Sequence, residues 1–598
     1  MPSDDPITPE RPAQLTPGGA ARFGSDAVAE ALAALGIPFI ALTPGSSFRG
    51  LHDSLVNHLG NRRPALLVCL HEEHAVAIAH GWAKVTGRAM AAAVHSNVGL
   101  MHAAMAVFNA WCDRAPVVLI GATGPVDPEK RRPWIDWIHT ARDQGALVRG
   151  YVKWDDQPAS AAAARDAVVR GKWIAEAAPQ GPVYLNLDAG LQEAPLAAPL
   201  PPLSLARLAP PLRRAPDAEL VRQAGRVLAA AKRPMILAGR VSRSTLAWQQ
   251  RIALAEALRA CVISDLKLGA AFPTEHPLHA GAPAVWPDAE ATAALKAADA
   301  VLSLDWVDLA GTLRAALGPA EPSATIIQAT TEHRPHDALS MESRALPPVD
   351  ILLDAEPDAA VAALNAALGA GERFEAQQAA TPRRASGDLA PPPAGTALAV
   401  AHLAAALRRA AEKREVALTH LPLSWDGAFW PFRHPLDYLG AEGGAGIGSG
   451  PGITVGAALA LKGSGRLAIG ICGDGDFLMG ATALWTAVRY RIPLLIVVAN
   501  NRSFYNDEVH QERMARQRGR PVENKWIGQR LADPEIDIAG LARAQGATAF
   551  GPITEGEDLL PAFEAAIAAV DRGTVAVVDV LIEPGYTPAM ATAVGRSE

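Results

Sequence analysis

The chain has 598 residues, of which 49% are hydrophobic, and it carries a formal net charge of −7. This length predicts several domains, and the acidic balance leaves no dominant basic face, so we expect no nucleic-acid partner. The longest apolar runs have the length of strands and fall far short of the ~20 residues of a membrane span, so we also expect no membrane partner.

The first part of the chain predicts an arm and then an α/β block. Residues 1–17 are polar and rich in proline, without the pattern of a signal peptide, and they predict a flexible arm. Residues 18–193 alternate helix-like and strand-like segments, which is typical of a parallel sheet with helices on both faces. The clearest elements predicted in this block are a helix at 26–35 and strands at 39–42, 65–70 and 183–187.

Two more blocks follow, each after a linker. The proline-rich residues 194–212 predict the first linker, and residues 369–395 predict the second. The second block is predicted over 213–368 and the third over 396–590, with a tail at 591–598. Their clearest strands are predicted at 235–238, 261–264, 300–304, 325–328, 467–472 and 494–499. The sequence therefore predicts an α/β fold of three doubly wound parallel-sheet domains.

The cysteines predict a reducing compartment. Cys69, Cys112, Cys261 and Cys472 are widely spaced, and most of them lie in or beside apolar runs. This is neither a disulfide framework nor a zinc motif. We therefore expect free thiols and a cytoplasmic protein.

The third block contains a candidate metal site. A Gly-Asp-Gly turn at 473–475 follows the strand predicted at 467–472, and Asn501 follows the strand predicted at 494–499. Alone, such a turn is also an ordinary turn. Carboxylate and amide oxygens at neighbouring strand ends suit Mg²⁺, and glycines let backbone N–H groups approach phosphates closely. The pattern predicts a site for a divalent metal and a diphosphate, with a helix that begins near Phe477.

This turn, the 24 residues 476–499 and the pair Asn500-Asn501 match the spacing of the thiamine diphosphate signature. On these motifs the chain resembles the decarboxylase and acetolactate-synthase group of thiamine-diphosphate-dependent enzymes. The resemblance implies thiamine diphosphate and Mg²⁺ as cofactors. It also implies that the three blocks are a pyrimidine-binding, a central and a diphosphate-binding domain, and that the protein is a homodimer or homotetramer.

The resemblance assigns roles near the Gly-Asp-Gly turn. The side chains of Asp474 and Asn501 and the backbone carbonyl of Ser503 would bind Mg²⁺. Ile447, in a glycine-rich segment, would support the bent cofactor as a bulky apolar residue. The residues implied to contact the cofactor are Glu72, Ile447, Gly473, Asp474, Gly475, Asp476, Asn501 and Ser503.

A glutamate at the end of the strand predicted at 65–70 is the candidate activating group. Taken alone, Glu72 and Glu73 are typical first-turn acids that stabilise a helix dipole. The resemblance implies instead that the Glu72 carboxyl group hydrogen-bonds the pyrimidine N1′ of the cofactor, with Glu73 as an exposed neighbour. Such a proton-sharing role suits a partly desolvated carboxyl group.

The substrate end resembles benzoylformate decarboxylase. The segments 43–47, 94–99 and 108–111 carry this likeness. It implies that Ser46 binds a substrate carboxylate and that His95 relays protons, a role that suits an imidazole near neutrality. The central-domain histidine of that family, expected near 300–309, is missing here.

The resemblance implies a carbon–carbon bond lyase that acts on a small-molecule substrate. We expect a 2-oxoacid decarboxylase or carboligase, acting on a 2-oxoacid or 2-hydroxyacyl compound through an enamine. The basic segment 506–530 is typical of a solvated face, but it also leaves open an acyl-CoA substrate, as in 2-hydroxyacyl-CoA lyase or oxalyl-CoA decarboxylase, with 584–598 as a short closing segment. Residues 237–240 leave open a flavin-containing oxidoreductase of the pyruvate-oxidase type. A non-catalytic binding protein is a further alternative.

Overall fold

The computed structural model describes residues 10–14, 19–208, 210, 213–332, 345–369 and 392–586. Most of the predicted arm, most of the second predicted linker and the predicted tail 591–598 lie outside these residues. Within the described parts of the chain, none of the helices combines the length and the apolar character that a membrane crossing requires.

The first sheet is parallel and has the strand order β2-β1-β3-β4-β6-β5. Its strands are β1 (Phe39–Leu42), β2 (Ala65–Val68), β3 (Met90–Ala93), β4 (Val117–Thr123), β5 (Asp155–Asp156) and β6 (Val183–Asp188). Its helices are α1 (Gly24–Ala34), α2 (Arg49–Asp53), α3 (Glu72–Thr86), α4 (Ser96–Cys112), α5 (Ile135–Ile138), α6 (Ala161–Glu176) and α7 (Ala189–Glu193). The central strands are short apolar runs, as expected of strands that are covered by helices on both faces.

The second sheet is also parallel, in the order β11-β10-β9-β7-β8. Its strands are β7 (Pro234–Ala238), β8 (Cys261–Ser264), β9 (Ala300–Leu304), β10 (Thr325–Thr330) and β11 (Ile351–Asp354). The helices around it are α8 (Ala218–Ala230), α9 (Thr245–Leu258), α10 (Ala289–Ala297), α11 (Leu309–Leu317) and α12 (Pro357–Leu368).

The third sheet is parallel, in the order β12-β13-β14-β16-β15. Its strands are β12 (Val416–His420), β13 (Leu467–Gly473), β14 (Leu494–Asn500), β15 (Thr548–Ile553) and β16 (Val575–Leu581). Its helices are α13 (Val400–Ala410), α14 (Gly450–Leu461), α15 (Asp474–Gly480), α16 (Ala483–Arg489), α17 (Tyr505–Gln517), α18 (Ile538–Ala544) and α19 (Gly556–Asp571). The predicted fold class is confirmed, and the predicted domain boundaries stay predictions.

Helices α3 and α14 join the first and third sheets. Gly81 of α3 lies against the backbone of Ile453, and Gly456 of α14 lies against the backbone of Ile78. A side chain at either glycine would overlap these backbone atoms, so both helices depend on glycine for their close approach. Apolar residues of both sheets form one continuous core around this contact. The two N-terminal ends, which carry Glu72 and the glycine-rich loop, are thereby fixed near each other.

Two predicted boundaries near the site are wrong. The helix expected near Phe477 begins earlier, at Asp474, because Gly473 is extended (φ −68°, ψ 162°) and acts as its N-cap. The strand expected over 65–70 ends at Val68. The chain turns there because the His71 ring caps α3, accepting a hydrogen bond from the Glu73 N–H at 3.1 Å.

Candidate active site

The predicted metal ligands converge at the carboxyl ends of β13 and β14. The Ser503 N–H donates to Asp474 Oδ2 at 3.1 Å and to Asn501 Oδ1 at 2.9 Å. A single backbone amide therefore brings both side-chain oxygens together. Two hard oxygens at adjacent strand ends are the start of a coordination shell that suits Mg²⁺.

Buried carboxylates make this end of the site favourable for a cation. Asp474 is buried, and the hydrogen bonds it receives come from backbone N–H groups, including that of Gly475 at 3.0 Å. Burial raises the pKa of Asp474 to about 6. Burial also raises the pKa of Asp579 to about 6, and the nearby charge of Asp474 contributes. Because both carboxylates lack enough compensating positive charge, a divalent cation fits this donor set.

Asp476 holds the glycine-rich loop 443–450 against the start of α15. Its Oδ1 accepts hydrogen bonds from the N–H of Gly448 at 2.6 Å and of Gly450 at 3.3 Å. This contact fixes the loop that carries Ile447. The Ile447 side chain is 42% exposed and projects from the loop rather than packing in the core.

A buried histidine supports this loop from behind. His420 Nε2 lies 3.0 Å from Glu442 Oε2, and its Nδ1 lies 3.8 Å from Asp476 Oδ2. Burial opposes protonation of His420, but the carboxylates of Asp476 and Glu442 outweigh it and raise its pKa well above the ordinary value. An imidazolium between two carboxylates thus balances the charge beneath the loop.

Asn109 of α4 ties the first domain to the same loop. Its side-chain amide donates to the carbonyl of Gly446 at 3.0 Å and lies 2.7 Å from Ser449 Oγ. Asn109 is fully buried. Sequence reasoning placed this residue in a family-like segment but gave it no role, and the structure shows that it positions the loop.

Glu72 is the first residue of α3, at the edge where the sheet strands end. It is buried, and its Oε2 lies 3.1 Å from His102 Nδ1 of α4. Its neighbour Glu73 is not exposed, contrary to expectation. Glu73 is half-buried, and burial together with the charge of Asp476 raises its pKa. Glu73 turns inward because α3 packs its N-terminal end towards the third domain.

The substrate end is organised by Ser47 rather than by Ser46. Ser47 is buried, and its Oγ lies 2.8 Å from His95 Nδ1 and accepts the Ser96 N–H at 3.2 Å. Ser46 lies on the exposed side of the same turn. Gly45 packs directly on the His95 ring, and a side chain there would overlap it. Sequence reasoning missed Ser47 because adjacent serines in a turn cannot be ranked by pattern.

Further histidines surround His95 and Glu72. The ring of His139 lies 4.7 Å from that of His95, edge to face, and His71 stacks on His102 at 5.0 Å. Burial lowers the pKa of His95, with further lowering from His139 and Arg132 and an opposing effect of Glu72. Sequence reasoning missed His139. The only signal for it was its position after β4, at the same sheet edge as Ser46 and His95.

A large cavity lies between the domains at the carboxyl ends of β7, β9 and β10. It has a volume of about 920 Å³. Arginines line it, among them Arg214, Arg240 and Arg243. Carboxylates line it too, and Glu332 pairs with Arg114 and, at 3.2 Å, with Arg240. Part of its positive charge is therefore already compensated inside the protein.

The basic segment 506–530 is also partly neutralised. Residues 506–517 lie in α17, where Glu512 pairs with Arg516 at 2.6 Å. Glu512 also pairs with Lys525, which follows the helix. Glu508 pairs with Arg530 at 3.3 Å. This arrangement is typical of a solvated face whose charges pair locally.

Three segments of the chain match domains of one enzyme family. Residues 22–147 match the N-terminal TPP binding domain of thiamine pyrophosphate enzymes, residues 221–335 the central domain, and residues 423–580 the C-terminal TPP binding domain. The predicted flanking arm and the second predicted linker lie outside these matches.

Curated relatives carry decarboxylase and synthase names. The chain is 26% identical to benzoylformate decarboxylase of Pseudomonas aeruginosa over 73% of this chain and 78% of that protein. It is 27% identical to a probable 2-ketoarginine decarboxylase of the same organism, but it spans only 46% of that relative's length and 46% of its own. It is also 23% identical to a probable acetolactate synthase large subunit of Methanocaldococcus jannaschii over 88% and 87% of the two chains.

Solved structures share the whole fold. The thiamine diphosphate-dependent 4-hydroxybenzoylformate decarboxylase of Rhodococcus jostii RHA1 matches with a TM-score of 0.76 and 23% identity, over 94% of this chain and 100% of that one. Benzoylformate decarboxylase of Polynucleobacter necessarius matches with a TM-score of 0.76 and 21% identity, over 95% and 100%. With all three domains matched in order, the chain belongs to the thiamine pyrophosphate enzyme family.

Proposed function

We propose that this protein is a Mg²⁺- and thiamine-diphosphate-dependent lyase that decarboxylates a 2-oxoacid and can pass the product to a second carbonyl compound. The observation that carries the proposal is the convergence of Asp474 and Asn501 on the Ser503 amide, at the edge of a diphosphate-binding sheet. The decarboxylase names of the relatives and the glutamate at the start of α3 support the same reaction class.

The metal end anchors the cofactor. Asp474 and Asn501 would bind Mg²⁺ through side-chain oxygens, and Ser503 through its carbonyl. Gly473, Gly475 and Asp476 would line the diphosphate, and Ile447 would support the bent rings. When bound, thiamine diphosphate supplies the electron sink for the carbanion that remains when a carbon–carbon bond breaks.

Glu72 controls the proton on the pyrimidine ring. Its burial at the N-terminal end of α3 keeps water away from the carboxyl group, and His102 holds one oxygen at 3.1 Å. A positioned carboxyl group of this kind can share a proton with a ring nitrogen such as N1′. This role predicts that the carboxyl group, rather than the shape of the side chain, is essential.

The turn at Ser46 and the imidazole of His95 receive the substrate. Ser46 would bind the substrate carboxylate. His95 presents Nε2 to the site because Ser47 engages Nδ1. A lowered pKa keeps His95 neutral at pH 7, so that it can accept a proton during turnover.

Calorimetry and a substrate panel test the proposal. We expect thiamine diphosphate to bind only when Mg²⁺ is present. The panel consists of benzoylformate, pyruvate, 2-ketoarginine and a 2-hydroxyacyl-CoA thioester, with CO₂ and aldehyde release as readouts. Absence of Mg²⁺-dependent cofactor binding would overturn the cofactor assignment. Binding without turnover of any compound favours the non-catalytic alternative.

A nucleotide-bearing compound, bound in the arginine-lined cavity, is a second candidate ligand of this protein. The arginine-lined cavity of about 920 Å³ is large enough for the nucleotide part of coenzyme A or of a flavin, and arginine suits phosphate recognition. Against it stands the pairing of Glu332 with Arg114 and Arg240. Visible flavin absorbance of the purified protein supports the oxidoreductase alternative, and activity restricted to the CoA thioester supports the acyl-CoA alternative.

An apolar surface supports a homodimer or homotetramer. Trp134 and Trp137 are 70% and 74% exposed, and Met101 of α4 is 54% exposed. The start of α4 adjoins the tryptophan segment, because Asn97 donates to the Ile138 carbonyl at 3.2 Å. Large exposed apolar side chains that cluster in this way are typical of protein–protein contacts. Light scattering after size exclusion tests the assembly.

The four free cysteines also support the expected cytoplasmic location.

A further inference from the structure

Two neighbouring histidines, His95 and His139, lie at the substrate end, and the family resemblance assigns a role only to His95. The reaction proposed above moves protons in two directions. The former carbonyl carbon receives a proton after CO₂ leaves, and the oxygen bonded to that carbon releases a proton before the aldehyde departs. One proton from solvent is consumed in each turnover. An acid and a base near the same carbon suit this sequence better than a single imidazole.

The central domain does not offer the second group where it was expected. Asp305 and Trp306 stand there in place of the family's histidine, and Asp305 is buried near Glu332 and Arg240 in the interdomain cavity. The first domain offers His139 instead. Its ring lies 4.7 Å from that of His95 at an interplanar angle of 83°.

The backbone around His139 is held on both sides. The His139 carbonyl accepts the Gly124 N–H at 3.2 Å, and its own N–H donates to the carbonyl of Ile135 at 3.1 Å. The preceding carbonyl, of Ile138, accepts a hydrogen bond from the Asn97 side chain at 3.2 Å, which links the segment to the start of α4. The ring is thus directed at His95 by ordered contacts rather than by chance.

Asp136 makes the same segment rigid. Its carboxylate receives the Arg132 backbone N–H at 2.8 Å and the Arg132 guanidinium at 2.8 and 3.1 Å. The chain reaches Asp136 through Trp134, which has φ +65°, a conformation that costs free energy in a residue other than glycine. Such strain persists where surrounding contacts define the backbone, and it is common at functional sites.

The His139 ring keeps hydrogen-bonding capacity. Its Nδ1 is buried and has no hydrogen-bond partner among the described residues. His95 differs, because Ser47 engages its Nδ1. The charged and titratable groups that act on His95 are His139, Arg132 and Glu72. Two neighbouring imidazoles are seldom both protonated, so their contact suits a pair in which one ring donates a proton and the other accepts one.

We propose that His139 is the second proton-transfer residue of this site and forms an acid–base pair with His95 in contact with the substrate. This inference rests on the proposed function. It assigns His139 the role that the central-domain residues near 305 cannot fill.

Turnover with the best 2-oxoacid of the panel tests the pair. In His139→Gln we expect kcat to fall about 100-fold with KM within about threefold of the wild type. The matched control is His52→Gln, an exposed histidine of α2, which keeps wild-type kcat. Cofactor binding by calorimetry stays unchanged in both variants. A kcat for His139→Gln within threefold of the wild type, or a change in KM alone, overturns the proposal.

Chemical rescue separates proton transfer from a structural role. We expect His139→Ala to regain turnover when imidazole is added, in proportion to its concentration, and His95→Ala to behave similarly. A loss of activity that imidazole cannot restore, in a variant whose thermal unfolding is unchanged, overturns the proton-transfer role.

An NMR titration of His95 tests its interaction with His139 without any need for turnover. Because the charge of His139 lowers the pKa of His95, that pKa should rise in His139→Gln, with resonances assigned through the two single variants. No turnover by the wild type with any substrate means that the proposed function has failed. In that case an unchanged His95 titration overturns the pair, and a raised His95 pKa supports it.

Discussion

The metal end and the substrate end of the candidate site contain different chemical groups. The metal end consists of backbone amides and hard oxygens at the starts of α15 and after β14, and one amide, that of Ser503, aligns two ligands. The substrate end consists of imidazoles and hydroxyls from separate loops, with His95 and His139 in contact. The first kind of site depends on local spacing in the sequence, and the second depends on how distant loops meet.

The electrostatics of the two ends differ in the same way. Burial raises the pKa of Asp474 and Asp579 to about 6, so the metal end concentrates negative charge that a cation relieves. At the substrate end, burial lowers the pKa of His71 and His95, which keeps these rings neutral. A fixed charge suits anchoring, whereas neutral imidazoles suit reversible proton transfer.

The largest expected effect is at the metal end. Asp474→Ala removes a predicted ligand from a buried position, and we expect Mg²⁺-dependent binding of thiamine diphosphate to weaken more than about 100-fold, with turnover lost. Calorimetry with and without Mg²⁺ measures it. Asp558→Ala, an exposed acid of α19, is the control and should bind as the wild type does. Equal affinities for the Asp474 variant and the wild type would contradict the metal assignment.

Glu72→Gln should affect turnover while leaving the metal end intact. The amide keeps the shape of the side chain but cannot share a proton with N1′, so we expect kcat to fall about 10²- to 10⁴-fold with cofactor binding retained. The matched variant is Glu73→Gln, the neighbouring first-turn acid, for which we expect a smaller loss. Unfolding temperature checks the fold of both. Equal losses for the two variants would show that the family motif does not identify the activating carboxyl group.

Much of the fold was predictable, because alternating apolar and polar runs define strands that are buried on both faces. The strands at 39–42, 261–264 and 300–304 have the predicted bounds. The helix start at Asp474 was not predicted, since it depends on the extended backbone of Gly473. Local cap geometry of this kind is poorly encoded by hydrophobic periodicity.

The candidate site was predictable only where a contiguous motif defines it. The convergence of Asp474 and Asn501 follows from parallel strand order. The burial of Ser47 beside the exposed Ser46 does not follow from a motif, because Gln192, far along the chain, fixes the turn by donating to the Ser47 carbonyl at 3.0 Å. His139 has the same character: a long loop returns it to the sheet edge, and no local pattern records that return.

Asn109→Ala should loosen the loop that joins the two ends. The change removes a fully buried amide and leaves the Gly446 carbonyl and the Ser449 hydroxyl without their present partner. We expect a loss of about 1–3 kcal/mol in the free energy of unfolding of the affected unit, and weaker cofactor binding. Chemical denaturation measures the first, and calorimetry the second. Asn57→Ala, an exposed residue that bonds Asp53, is the control. Unchanged stability would contradict the positioning role of Asn109.

The smallest effect is expected where α3 meets the third domain. His74 Nε2 lies 2.8 Å from Thr482 Oγ1, and burial, with a further effect of His71, lowers the pKa of His74 to about 4. Below an unfolded pKa of about 6.5 the unfolded chain takes up a proton that the folded chain refuses, so this contribution is present above that pH and is lost as the pH falls towards 4. Between pH 7.5 and 5.5 the wild type should therefore lose about 1 kcal/mol more stability than His74→Gln, which cannot titrate there. Parallel denaturation curves at the two pH values measure the difference. If the stability difference between the wild type and His74→Gln does not change with pH, His74 is solvated. The contact between α3 and the third domain is then looser than the hydrogen bond from His74 to Thr482 indicates.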